Sequence, residues 1–130
     1  MNGNQEIKSI FKAATGTAVP EGFGEPFATT FSLFHREKEL EVIAAAYCCA
    51  LFLSVLLNKF PAQRLHTFTH YIQENYGRFS FNCNMYEEIF ASMEKETLDN
   101  VILLDHTGQP THHKCMKEDI FEAFDFYTNR

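Results

Sequence analysis

The longest uninterrupted apolar stretch, VIAAAYCCALFLSVLL at positions 42–57, sets the plan for the residues around it. Its sixteen positions carry no charge, and Ser54 and the Tyr47 hydroxyl are its only appreciably polar groups. Alanine and leucine without Gly or Pro favour helix. A helix with no polar stripe belongs either at the centre of a core or in a bilayer. At ~1.5 Å per residue this one reaches about 24 Å, short of the roughly 30 Å of bilayer hydrocarbon. Glu37, Glu39 and Glu41 on one side and Asn58-Lys59 on the other oppose its extension. The pattern therefore predicts a buried central helix and no membrane span. A side of it left uncovered would be filled by a second copy of the chain, making a homo-oligomer.

The flanking segments supply the cover. Residues 4–14 place Ile7, Ile10 and Phe11 on one helical face and Lys8 and Lys12 on the other. TGTAVPEGFGEPFATT, with Pro20, Gly22, Gly24 and Pro26, reads as a loop. Its glycines match neither GxGxxG nor a P-loop, so it is no phosphate cradle. Thr29 or Thr30 is placed to cap a following helix carrying Phe27, Phe31 and Phe34, and a break near His35-Arg36 would keep that helix to ordinary length. Phe60-Pro61 turns the chain into a helix over 61–76 with Leu65, Phe68, Ile72 and Tyr76 in phase, stopped at Gly77. So short a connection predicts antiparallel packing on the central helix. Met85, Ile89 and Met93 give a helix over 85–95, with Asn84 and Glu87 as a capping pair. Met116, Ile120, Phe124 and Tyr127 give a last helix over 114–127. Phe79, Phe81, Cys83 and Met85 alternate with polar residues, and VILLD at 101–105 reads either as a last helical turn or as a short strand, so a minor two-stranded element near 79–83 and 101–104 is compatible with the pattern. The fold class is thus all-α: a compact bundle of four to five helices around residues 42–57, in a single domain spanning 1–130.

Composition changes this picture in two respects. Fourteen Phe and no Trp point to a phenylalanine-rich core, with a few Phe left for a docking surface. The net charge of -6 is uneven: up to Gln73 acids and bases balance, and from Glu74 onward eleven acids face five bases. Such a chain lacks the basic footprint that nucleic acid requires and suits a basic partner. Its first residues lack the basic-then-apolar order of a secretory signal, and its four cysteines show no framework spacing, so reduced thiols and a cytoplasmic setting are expected.

Candidate chemistry is sparse. His66 and His70 are spaced i,i+4, as two imidazoles on one metal ion require, but HExxH is absent. Asp105, His106, His112, His113 and Cys115 crowd eleven residues around a Gly/Pro turn, a donor set that zinc accepts, without any CxxC knuckle. Cys115 beside His112 or His113 is also the composition of a thiolate–imidazole pair or a redox-sensitive thiol. Glu87-Glu88 and Glu118-Asp119 are helix neighbours that point apart, unlike the facing carboxylates of a glycosidase. The leading expectation is a small acidic interaction protein, an adaptor, inhibitor or regulatory subunit rather than an enzyme. It would contact its protein partner through Glu118, Phe121, Glu122, Asp125 and Phe126, with Glu87 and Glu88 secondary and no cofactor. Two alternatives stand beside it. One is a metal-binding or thiol-based helical protein using His112, His113 and Cys115 with His66 and His70. The other is a bundle that holds a small apolar ligand beside its central helix.

Overall fold

The apolar helix forms, and it is longer than its uncharged run. In the computed structural model, which describes residues 3–34, 39–77, 81 and 83–129, it spans Glu39–Asn58. Around it stand α1 (Gly3–Thr15), α2 (Glu25–Phe34), α4 (Ala62–Asn75), α5 (Tyr86–Ala91), α6 (Lys95–Leu98) and α7 (Lys117–Thr128), the central helix being α3. A 3-10 turn, Cys83–Met85, precedes α5, and strands β1 (Val101–Leu104) and β2 (Pro110–His113) form a two-stranded antiparallel sheet. With 69% of its residues helical, the protein is an all-α fold with a minor strand element.

α3 is packed most extensively by α2 and α7, then by α4 and β1, and least by α1. Eleven of its residues are buried, Ala44–Leu51 without interruption. At 20 residues it reaches about 30 Å, so it is long and apolar enough to cross a membrane by length and composition alone, and the shorter span expected from the uncharged run does not hold. Within the protein 61% of its most apolar window is buried.

α4 turns back from α3 through Lys59, whose positive φ of 64° makes the reversal, and the two helices pack together. Phe11 of α1 lies edge-on to Tyr47 of α3 (5.8 Å between centroids) and Phe68 of α4 (5.4 Å). α1 runs antiparallel to α4. The Arg64 guanidinium donates to the Thr15 carbonyl at one end of the pair, and Tyr76 Oη donates to Glu6 Oε1 (2.6 Å) at the other. A second aromatic cluster fills the space between α2, α5 and α7, where Phe124 meets Phe27, Phe31, Phe81 and Tyr86. Most of the phenylalanines are therefore structural. A buried hydroxyl ties the sheet to the core: Ser54 Oγ donates to the Ala50 carbonyl (2.9 Å) and accepts from the Leu104 amide (3.0 Å).

Four expectations need correction. β1 pairs with β2, not with the segment near 79–83: Val101 faces His113 and Leu104 faces Pro110 in a local hairpin. Cys83 lies in the 3-10 turn, and residues 79, 80 and 82 lie outside the described residues. The hairpin wins because its turn needs little chain. The Asp105 amide donates to the Gln109 carbonyl (2.9 Å), the Gly108 amide donates to the Asp105 carbonyl (2.9 Å), and Gly108 supplies the positive φ. Next, α2 begins at Glu25, four residues before the expected Thr caps, with Pro26 in its first turn where a missing amide is harmless. The break expected near His35-Arg36 falls outside the described residues. Third, the helix expected over 85–95 starts at Tyr86 and ends at Ala91, the chain resumes helix only at Lys95, and Met85 rather than Asn84 stands at the N-cap position. Last, the helix expected over 114–127 starts at Lys117, its first turn closed by the Met116 amide donating to Asp119 Oδ2 (2.9 Å).

Candidate interaction surface

The cover over α3 is incomplete toward its C-terminal end. There Phe52 and Val55 are half-buried and Leu56 is 42% exposed. α7 lies beside this stretch. The Cys49 thiol reaches the Ala123 carbonyl (3.8 Å), and one turn farther along both helices Phe52 stacks on Phe126, centroids 4.8 Å apart. Phe52, Glu122, Asp125, Phe126 and Asn129 together line an open depression of about 380 Å³. The stacked rings form its apolar floor, and two carboxylates stand at its edge.

Glu122 and Asp125 are both exposed. Asp125 Oδ1 accepts the Tyr86 hydroxyl (2.7 Å), which also lies 3.0 Å from Thr128 Oγ1. Burial, reinforced by the Asp125 charge, pushes the Tyr86 hydroxyl up to about 12, so it remains a neutral donor that orients the Asp125 carboxylate.

Of the five residues expected from the sequence, this depression brings together Glu122, Asp125 and Phe126. Phe121 instead turns inward between Tyr86 (5.5 Å), Phe90 (6.0 Å) and Phe124 (6.2 Å), with the Lys117 ammonium 5.4 Å above its ring. Glu118 is exposed in the first turn of α7, three residues ahead of that inward-turned ring. Glu87 pairs with Lys117 (2.7 Å), and Glu88 is exposed on α5. Phe121 and Phe126 are half-buried, and the large hydrophobic side chains most exposed among the described residues are Leu33, Leu56, Tyr71 and Met116. Sequence reasoning missed Phe52, Leu56 and Asn129. Phe52 and Leu56 do share an i,i+4 face, but in a helix apolar on every side that spacing carries no mark of which face stays open.

The histidine and cysteine candidates do not converge. His66 and His70 are both exposed on α4, and His70 Nε2 lies 3.1 Å from Glu74 Oε1. His112 and His113 are consecutive in β2, so their side chains leave opposite faces of the strand, one exposed and the other half-buried. Asp105 closes the hairpin turn, accepting from the Thr107 amide (2.8 Å), Thr107 Oγ1 (2.6 Å) and the Gln109 amide (3.1 Å). The Thr107 side-chain bond chiefly holds its carboxyl below the usual carboxylate range. Among the described residues no group of three or more His, Cys, Asp or Glu is arranged to hold a metal ion, so the zinc alternative lacks an assembled ligand set. Cys115 is buried, and burial together with the Asp119 charge pushes its thiol up to about 12. Cys49, fully enclosed, is raised well above the ordinary thiol value by burial. A nucleophilic or redox-sensing thiol needs the opposite shift. Thiol labelling of the native protein at pH 8 should therefore show one fast cysteine, the exposed Cys83, and the buried Cys48, Cys49 and Cys115 only after denaturation. Rapid modification of Cys115 in the native state would restore the thiol reading.

No protein-family profile matches the chain, and no solved structure matches it. The chain is similar to a 3-dehydroquinate synthase of Parabacteroides distasonis, 31% identical in an alignment of 91 residues that covers 65% of this chain and 26% of that protein. The chain thus spans about a quarter of the length of the curated relative that it matches, a likeness to part of an enzyme.

Proposed function

We propose that the protein is a small interaction module that docks a basic, apolar-bearing segment of a partner protein on the face shared by α3 and α7. One observation carries this reading: Phe52 of the largely buried central helix opens with Phe126 into a depression that Glu122 and Asp125 also line. Aromatic rings already held in place lose little freedom on binding, and acids at the rim steer a cationic partner. Charge complementarity favours such a partner over a second copy, which would bring the same two carboxylates into the contact. The burial of much of α3 supports a water-soluble module. The likeness to part of a 3-dehydroquinate synthase supports a second reading, in which the chain is a module of an enzyme of that type. Assaying the purified protein for dehydroquinate formation tests it, and no activity would remove it.

The first reading is tested with an amphipathic leucine/lysine helical peptide and by measuring the mass of the protein in solution. Peptide binding should weaken as salt rises from 50 to 500 mM. It should also fall by roughly tenfold in Phe126→Ala, the loss of one aromatic anchor, and by a smaller factor in Glu122→Lys. Salt-independent binding would sink the charge argument. A stable dimer that Phe52→Glu converts to monomer would assign the face to a second copy instead.

A further inference from the structure

Three of the five bases found from Glu74 onward, in a half of the chain that carries eleven acids, line one groove. Lys95, Lys114 and Lys117 surround a depression of about 510 Å³ between α5, α6 and the segment leading into α7. Its floor is apolar: Met93, Leu98 and Cys115 are buried and Phe90 is half-buried, while Met116, 53% exposed, hangs at the edge. The groove is held rigidly where it matters, since the Cys115 amide donates to the Leu98 carbonyl (2.8 Å) and so pins one wall to the other. Asp99 also lines it, and Lys117 is shared with Glu87. Lys95 and Lys114 are exposed and form no ion pair among the described residues, so the three lysines of the lining outnumber its one acid, Asp99, while Asp119 acts on Cys115 from nearby.

An apolar floor under ammonium groups, in a volume typical of small-molecule sites, has a definite chemical complement. The geometry points to a binding site for a small amphipathic organic anion, an aliphatic or aromatic carboxylate whose body lies on Met93, Leu98 and Phe90 and whose charge meets Lys95 and Lys114. The unbranched thioether of Met116 adapts to bodies of different shape. This site is separate from the face proposed above for a partner, shares no lining residue with it, and stands or falls independently.

The test uses octanoate, with 1-octanol as the uncharged body and acetate as the bare charge, titrated by calorimetry and by NMR shifts of the methionine methyl groups. Octanoate should bind saturably, moving the Met93 and Met116 methyls, and more tightly than either control. Joint replacement Lys95→Gln and Lys114→Gln should weaken octanoate by about five- to tenfold, as expected for two partly exposed charge pairs, and leave octanol unchanged. Both lysines are exposed, so the variant should fold normally, and Glu122→Lys should bind octanoate like the parent. Equal binding of octanol and octanoate, no effect of the double replacement, or no saturable binding up to 10 mM would each overturn the assignment. So would an acidic peptide that competes for the groove and binds it far more tightly than octanoate.

Discussion

Replacing Phe124 by alanine should lower the stability of the protein by about 3–5 kcal/mol, the range for removing a fully enclosed aromatic ring. Phe124 has no solvent exposure, and its ring meets those of Tyr86 (5.3 Å), Phe81 (5.6 Å), Phe31 (6.0 Å), Phe27 (6.2 Å) and Phe121 (6.2 Å). These neighbours come from α2, α5, residue 81 and α7 itself, so no single element can move in to fill the hole without leaving its other contacts. Part of the loss is the transfer of the ring to water and part is the residual cavity. Urea unfolding followed by circular dichroism measures it as a fall in the midpoint at nearly constant slope. A loss under about 1.5 kcal/mol would mean that the cluster collapses around the gap, outside the usual range for such a truncation.

Gly24→Ala should cost about 2–5 kcal/mol, although it adds a single methyl group. Gly24 has φ +75°, a left-handed conformation that penalises a side chain by roughly 1–2 kcal/mol. A Cβ there would also stand 3.1 Å from the Ala46 carbonyl oxygen and 3.2 Å from its carbon, backbone atoms in the buried middle of α3 that cannot swing aside. Overpacking of that kind adds a further ~1–3 kcal/mol. Gly77→Ala is the control, because its φ is also positive (66°) while a Cβ there meets nothing within 4 Å. The difference between the two midpoints isolates the packing share. If the two substitutions cost the same, α2 does not rest on α3 through Gly24.

Those two positions also show what a sequence can disclose. α3 was legible because sixteen uncharged residues without Gly or Pro favour helix and call for cover on every side. α1 and α4 were legible because their polar and apolar faces separate cleanly. β2 was not: PTHH contains no apolar alternation, and its strand character comes only from the register that the Asp105–Gly108 turn imposes. The early end of α5 was equally hidden, since nothing in ASMEKETL breaks a helix by propensity. Met93 and Leu98 both enter the core, yet residues five apart lie about 140° apart around a straight helix, so the chain interrupts the helix between them. The candidate surface was half legible. Glu122, Asp125 and Phe126 were readable from α7 alone, whereas Phe52 depends on which side of α3 the other elements leave open. The lysine-lined groove was invisible because Lys95, Lys114 and Lys117 are scattered in the sequence and gathered only by the hairpin that folds between them.

The order in which the elements occur along the chain has a consequence for how the protein is made. α3, with a mean hydropathy of 2.3 over its most apolar window, precedes β1 and α7, two of the elements that enclose it. During synthesis roughly 60 residues follow α3 before α7 begins, which at ~5–20 residues per second leaves it incompletely covered for about 3–12 s. Over that interval the nascent chain presents a segment resembling a membrane signal. Its yield as a folded protein should therefore depend on whether a chaperone or the membrane-targeting machinery reaches that helix first.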